Sequence, residues 1–513
     1  MKTPISSDRS PHIELIDARR VLFVDGLPHT VVTVEIPWKQ SVYGRYEHTM
    51  SGYDYLYPAA KELSLNALKV PVKWSQVESV QGEYDFTYVD HVIDRARENG
   101  LRLVLGWFGH YASGDGSLYR NLTTEVFAPM DVIEDAQTYP RAVDARGMTH
   151  HNAASYAYPA IVEREAKAFA AFMTHLRERD EGTWTVLMVQ IENEIATFGL
   201  LRQERSMWRD HSEAANELYE QWNEDDLTFS ARLMARRWIR PLTDAGKAAY
   251  PLPFFCNFVG GTLAPHIVGG SPGEDVSVYL DECPGIDFIG LNLYVPNDAT
   301  VSDFRASLDR YRIGRNMVCI TETNSDSGPV APRLCFDAIA RYGAPIFAPW
   351  ALNVSYPTPH EPYVLRNGTL AHGARALSET YGAISLAAAP IAAYAGTDRM
   401  VALVPPRTGQ PHAGVIDLAG DEVRFTCAES GRLIVIHPGP HEFVIVGCRG
   451  GVTVPTDQAR WPACREISAE AGRYDGYEWI PEGQPDWFSF DQTSGTVSVS
   501  VSDPKVIRLR LRR

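Results

Sequence analysis

Eight short apolar runs, each separated from the next by segments of helical period, occupy residues 30 to 390 and leave few folds open. The runs cover 31–36, 67–72, 101–107, 185–191, 254–258, 288–293, 317–321 and 344–350. Strands that are apolar throughout, rather than alternately, are buried on both faces, as in a parallel sheet flanked by helices. Eight such β/α units favour a (β/α)8 TIM barrel over an open doubly wound sheet. The helical segments fit this reading. Val89, Val92, Ile93 and Ala96 stand at i, i+3, i+4 and i+7, with Gly100 as the stop before the third strand. Residues 161–179 put Ala166, Phe169, Ala170, Met173 and Leu176 on one face, and Gly182 precedes the fourth strand.

Beyond about residue 395 the period changes to two. Val497, Val499 and Val501 alternate with serines, Ile507, Leu509 and Leu511 alternate with arginines, and apolar runs at 433–436 and 443–446 precede them. The pattern predicts a barrel with an N-terminal extension over residues 1–390 and a β-sandwich-like domain over 391–513, joined through the Ala-rich stretch 387–394.

Charge narrows the partners. Forty-eight basic against 64 acidic side chains give a formal net charge of −16. That field repels phosphate backbones and anionic lipid, so neither nucleic acid nor a membrane surface is expected as a partner. A neutral ligand is compatible with it. The first twenty residues carry no continuous apolar segment of the kind a secretory signal needs, and no later run approaches a membrane span, so the expectation is a soluble cytoplasmic protein. Seven cysteines, without a CxxC pair, read as reduced thiols. Adjacent His150 and His151 lack further ligands at metal spacing, and no Walker loop, GxSxG elbow or dinucleotide fingerprint is present.

Two carboxylates stand where a barrel does its chemistry, at the C-terminal ends of strands. Glu194 follows strand four in Gln190-Ile-Glu-Asn-Glu194, and Glu322 ends strand seven in Cys319-Ile-Thr-Glu322. Two carboxyl groups facing one site are the equipment of glycoside hydrolysis: one protonates the leaving oxygen, and the other attacks or activates water. Glu192 lies two residues before Glu194, nominally on the same face of the strand, so periodicity alone does not choose between them.

These residues resemble the retaining (β/α)8 glycosidases that carry the acid/base on strand four and the nucleophile on strand seven, especially the β-galactosidases of glycoside hydrolase families 35 and 42. The stretch Val189-Gln-Ile-Glu-Asn-Glu194 is similar to the family 35 motif in which the glutamate after asparagine is the acid/base. The resemblance implies that Glu194 is the acid/base, Glu322 the nucleophile, and Asn193 the group that holds the sugar 2-hydroxyl. It leaves Glu192 as a supporting carboxylate. The run Trp74-Ser-Gln-Val-Glu78, then Gly82-Glu-Tyr-Asp-Phe86 and Asp90, resembles the family 42 segment after strand two, with Ser79 in place of the usual proline. Ile289-Gly-Leu-Asn-Leu-Tyr294 is similar to the strand-six segment whose tyrosine hydrogen-bonds the nucleophile, a role implied for Tyr294. Glu35, in Val34-Glu-Ile-Pro-Trp38, resembles a family 35 segment and is a candidate for binding hydroxyls. Trp350 at the end of strand eight, Trp107 at the end of strand three and, less so, Trp38 offer indole faces to a sugar.

The expectation is a retaining exo-glycosidase that hydrolyses terminal β-linked sugars, β-galactosides first, by double displacement without metal or organic cofactor. Another glycone (glucoside, fucoside or arabinoside), or transfer to a sugar acceptor, stands close behind. The rival from another class is a carbohydrate-binding barrel without turnover, against which the intact carboxylate pair argues. Related barrels often associate, so a homo-oligomer is possible. The long insertion 111–159 is expected to shape the sugar pocket.

Overall fold

The structure is a computed structural model that describes residues 4–37, 52–109, 127–198, 205–260, 275–325, 330–355, 361–456 and 466–512. Trp38 and the first part of the long insertion, residues 111–126, lie outside them.

Eight parallel strands form the barrel: Val31–Val32, Ala67–Lys73, Arg102–Phe108, Val186–Ile191, Phe254–Gly260, Phe288–Leu293, Ile320–Thr323 and Ile346–Phe347. They are called strands one to eight below. Strands two to eight each pair with the next in sequence, and strand eight pairs with strand one. The ring closes between strands one and two, where Glu35 bridges to Lys69 on one side and to Trp350 on the other. All eight expected strands are present, with shifted ends. Strand seven starts at Ile320 rather than near 317, because the Asn316 side chain takes the place of a ladder partner. It accepts from the Ile289 N–H at 2.7 Å and donates to the Ile289 carbonyl at 3.2 Å.

The helix Thr87–Glu98 buries Val89, Val92, Ile93 and Ala96, the four positions that its period puts on one face, and Gly100 at φ +63 carries the turn into strand three. Between strands three and four, Pro159–Asp180 packs Phe169 and Phe172 against Trp107. A three-stranded antiparallel sheet, His12–Ile16, Arg19–Val24 and Leu27–Pro28, covers the N-terminal end of the barrel. Its Asp25 accepts from Arg102 at the foot of strand three, and Arg20 faces Asp287 at the foot of strand six.

The helices Ala374–Ser385 and Ala388–Tyr394 end the barrel, and an antiparallel domain starts at Met400. Its long strands Asp421–Gly439 and Glu442–Pro455 form a hairpin whose register breaks between Cys427 and Arg432. The halves on either side of the break belong to two layers. One half pairs with His412–Leu418 and Thr496–Val501, the other with Met400–Leu403 and Lys505–Arg512. Val423, Phe425, Val452 and Val499 meet Leu433, Val435, Phe443 and Leu509 between the layers, which makes the domain sandwich-like. On the outer face of the second layer, Ile434, Ile436, Val444 and Val446 join the core of the barrel. No helix among the described residues is long and apolar enough to cross a membrane.

A charged clasp reinforces that seam. Glu379 of the helix Ala374–Ser385 accepts from Arg432 Nη2 at 3.1 Å and from Arg449 Nη1 at 3.1 Å, both on the long hairpin, and from Arg375 Nε on its own helix at 3.0 Å. Burial alone would raise the Glu379 carboxyl. The arginines overturn it and bring the group down to about 2. A carboxyl lowered in the folded state stabilises the fold above its ordinary value near 4.5 and loses that contribution as pH falls through about 2. Glu379→Ala, which leaves Arg432 buried without its partner, should cost on the order of 3 kcal/mol. Denaturant unfolding at pH 7 checks the cost, and at pH 2 the difference from the unsubstituted protein should shrink to a fraction of it.

Candidate active site

Strands four to seven bring a polar network to the C-terminal end of the barrel. Asn257, on strand five, is fully buried at its centre. Its Oδ1 accepts the backbone N–H of Glu194 at 2.8 Å. Its Nδ2 lies 2.8 Å from Asn193 Oδ1, 3.1 Å from Asn292 Oδ1 and 3.3 Å from Glu322 Oε1. Asn292, on strand six, turns its own Nδ2 to Glu194 Oε1 at 3.0 Å and takes a hydrogen bond from Thr321 Oγ1 at 2.9 Å. Two amides thus connect the carboxyl of Glu194 to that of Glu322.

Donors converge on Glu322. The Tyr294 hydroxyl donates to Oε2 at 2.8 Å, Asn257 reaches Oε1, and the Lys69 ammonium stands 3.6 Å from Oε1. Burial, then the adjacent Glu322, hold the Tyr294 phenol well above its ordinary value, so it stays a proton donor. Lys69 is itself buried on strand two. It donates to the Thr321 carbonyl at 3.2 Å and pairs with Glu35 Oε2 at 2.5 Å. Burial pushes Glu35 up to about 7 against the pull of Lys69, and the nearby Glu322 adds to the rise. One ammonium therefore serves two carboxyls.

The strand-four turn separates its two glutamates. Glu192 and Glu194 both take left-handed backbone, at φ +60 and +49. Side-chain alternation ends where that conformation begins. Glu194, half-buried, joins the network within the barrel end, whereas Glu192 is fully buried and hydrogen-bonds to Gly109 and to Glu165 of the helix Pro159–Asp180.

The structure brings together Glu194, Asn193, Tyr294 and Glu322. Asn193 Oδ1 accepts from Asn257 and from Gln190 Nε2, at 2.8 and 3.2 Å, which fixes the orientation of its amide. Trp350, half-buried, follows strand eight, with its N–H on the Thr323 carbonyl and its backbone beside Glu35. Of the two other candidates, Trp107 stands elsewhere and Glu35 lies beside this set. Trp107 is fully buried between barrel and helix, packed on Phe169 and Phe172 with its indole N–H on Glu165, so its face does not meet the barrel end. Strand alternation sends it outward. Glu35 pairs with Lys69, which it shares with Glu322, and has no exposed surface. Glu78 of the strand-two motif accepts from Trp74 Nε1 and from the Gly82 N–H, a local structural role. Lys69, Asn257 and Asn292 were missed by the sequence reading. Their signal was available: each is a polar residue interrupting an otherwise apolar strand, in Ala-Leu-Lys69-Val, Phe-Cys-Asn257-Phe and Gly-Leu-Asn292-Leu.

A barrel with glutamates linked across strands four to seven defines a class of architecture, and comparison with known proteins sharpens it. Residues 56–239 match the family model described as beta-galactosidase, glycoside hydrolase family 42. The segment includes Glu194 but stops before Glu322. Among solved structures, the chain is similar to the beta-galactosidase from the psychrophilic Marinomonas ef1, with 11% identity over 70% of this chain and 60% of that one and a TM-score of 0.50. It is also similar to the catalytic domain of the beta-amylase from Paenibacillus polymyxa, with 10% identity, 69% and 97% coverage and a TM-score of 0.51. Endo-glycoceramidase II from Rhodococcus sp., as a lactosyl-enzyme intermediate, matches 95% of this chain and 98% of that one at 13% identity and a TM-score of 0.45. The chain spans about 60% of the length of the Marinomonas enzyme. At these identities the likeness is one of fold. No curated protein matches the sequence.

The buried ion pair makes a direct forecast. Lys69→Met removes the ammonium and leaves Glu35 buried without its counter-ion, so the variant should lose about 3–5 kcal/mol of stability. Adding Glu35→Gln should return a large part of that loss, because the uncompensated charge goes with it. A double-mutant cycle by urea unfolding, completed with the Glu35→Gln single variant, measures both, and a double-variant loss equal to the sum of the two single losses would show that the pair does not couple.

Proposed function

We propose that this chain is a retaining exo-glycosidase that hydrolyses terminal β-linked sugars, with β-galactosides as the first substrates to try. The observation that carries the reading is the pair of amides, Asn257 and Asn292, which tie the Glu194 and Glu322 carboxyls into one network at the C-terminal end of the barrel. Support for a galactoside comes from the family model over residues 56–239 and from the names of the similar structures.

In this mechanism Glu322 attacks the anomeric carbon. The Tyr294 hydroxyl and the Lys69 ammonium face its oxygens, so the attacking carboxylate is oriented and its charge is met by donors. Glu194 gives its proton to the departing glycosidic oxygen as the bond to the anomeric carbon breaks, leaving a glycosyl ester on Glu322. Glu194 then takes a proton from water, which attacks the same carbon and releases Glu322. Asn292, donating to Glu194 Oε1, holds that carboxyl in place through both steps. Asn193 is suited to the sugar 2-hydroxyl, and Trp350 to an apolar face of the ring. The protein acts without metal or organic cofactor in this scheme.

General acid help matters most for a poor leaving group. Glu194→Ala should therefore slow alkyl glycosides by about 10²–10⁴-fold and aryl glycosides with activated phenols far less, and for the latter a glycosyl-enzyme should accumulate. Glu322→Gly should remove turnover of both kinds, by on the order of 10⁴-fold or more, in a protein that still folds. Proton NMR of the first-formed sugar should show the β-anomer. An α-anomer, or a folded Glu322→Gly variant with near-normal turnover, would sink the assignment. A panel of aryl galactosides, glucosides, fucosides and arabinosides ranks the glycone by kcat/KM.

A further inference from the structure

The Glu192 backbone carbonyl accepts from Gln190 Nε2 at 2.9 Å, and its side chain is as buried as any residue of the core. Its backbone N–H donates to the Trp107 carbonyl at 2.9 Å, and its Oε1 accepts the Gly109 N–H at 2.9 Å. These bonds tie the end of strand four to the end of strand three. The side chain enters the layer between strands and helices and hydrogen-bonds to Glu165, which is likewise fully buried. Glu165 accepts the indole N–H of Trp107 at 3.0 Å and that of Trp238 at 2.8 Å. A Cβ at position 109 would lie 2.0 Å from Glu165 Oε1 and 3.1 Å from Glu192 Oε1, so only glycine fits where the two carboxyls converge.

Two carboxyl groups in a direct hydrogen bond need a proton between them, since two adjacent anions repel. Counting donors places it. Glu165 already accepts two indole N–H groups, and a third donor completes a carboxylate. The proton then belongs with Glu192, whose Oε1 accepts the Gly109 N–H and whose carboxyl meets that of Glu165. Burial in this aromatic setting pushes the Glu165 group up, opposed by the hydrogen bonds from Glu192, Trp238 and Trp107.

We infer that Glu165 and Glu192 form a carboxylate–carboxylic acid pair holding one proton, and that this pair positions Glu194 by locking the left-handed turn that carries it. The second half rests on the acid/base role proposed above for Glu194. Left-handed backbone at a non-glycine residue costs roughly 1–2 kcal/mol and persists only where the surroundings over-determine it. Here they do, from two sides. Glu192 is held from the helix layer by Glu165 and Gly109, and Glu194 from the barrel end by Asn257 and Asn292. Release of the first hold lets the turn relax and the Glu194 carboxyl leave its place.

The test compares Glu192→Gln, Glu192→Ala and Glu165→Gln. An amide at position 192 accepts from Gly109 and donates to Glu165, so Glu192→Gln should unfold thermally close to the unsubstituted protein. Glu165→Gln sets an amide N–H against an indole N–H and should unfold at a clearly lower temperature. In infrared difference spectra at pH 8, the unsubstituted protein should show a protonated-carboxyl carbonyl band that Glu192→Gln lacks. Absence of that band, or a Glu192→Gln variant as destabilised as Glu192→Ala, overturns the shared proton. For positioning, Glu192→Ala should lower kcat on alkyl glycosides by at least about tenfold, with little change in KM and a smaller loss on activated aryl glycosides. Glu192→Gln should restore most of it. A folded Glu192→Ala variant with unaltered kcat and leaving-group dependence overturns the positioning role and leaves the pair structural. The unfolding and infrared measurements need no turnover. A chain that shows the band and the Gln–Ala contrast but hydrolyses no glycoside therefore overturns the proposed function, and positioning with it, without touching the pair.

Discussion

The carboxamide of Asn257 sets the geometry on which the rest of the barrel end depends. An amide presents an acceptor and a two-hydrogen donor in one rigid plane. At this position the acceptor takes the N–H of Glu194, and the donor is shared among Asn193, Asn292 and Glu322. Strands four, six and seven are thereby measured from a single group on strand five. The site is fully buried, so an unmade bond there costs the full desolvation of the group, about 1–3 kcal/mol. That asymmetry makes the arrangement specific: any shift of one strand leaves a polar atom without its partner.

The two glutamates of the strand-four turn show how backbone conformation divides work between neighbours. In regular strand, residues 192 and 194 would share a face and compete for one environment. Two left-handed residues break the alternation and send Glu192 toward the helices and Glu194 toward the barrel end. The environments then differ in kind. Glu192 meets another carboxyl among indoles, while Glu194 meets an amide donor and keeps part of its surface open.

What could be read in the sequence was what has a period or a position. The eight apolar runs and the 3.6-residue pattern of 89–96 predicted strands and a helix that are present, because burial on a known face leaves a mark in residue type. Glu322 was legible because a polar residue at an apolar strand end stands out, Tyr294 because a resemblance pointed to it, and Glu194 because the same resemblance singled it out from Glu192. Lys69, Asn257 and Asn292 were passed over: a single polar residue inside an apolar run reads as noise until its partners, far away in sequence, are known. Trp107 shows the opposite error. It ends a strand as Trp350 does, and composition cannot tell which of two alternating faces a side chain takes. Position 109 illustrates a further limit, since the need for glycine there comes from carboxyls at 165 and 192.

The seam of the barrel and the chemistry of its open end share atoms. Strand one is two residues long in its regular part, and the ring is completed by Glu35, whose backbone bridges strand two at Lys69 and strand eight at Trp350. The side chains of the same two residues form the buried ion pair, and Lys69 continues to the Thr321 carbonyl and the Glu322 carboxyl on strand seven. Closure of the ring and the cation beside Glu322 therefore rest on the same residue, Lys69. A buried ion pair is a poor source of net stability, because desolvation consumes most of its attraction. Its retention at this seam follows from geometry, since an apolar pair would close the ring equally well but would leave the Glu322 carboxyl without a facing charge. The clasp of Glu379 with Arg432 and Arg449 shares no residue with this set, so the bonds that hold the sandwich domain and those that hold the carboxyls of the barrel end are separate.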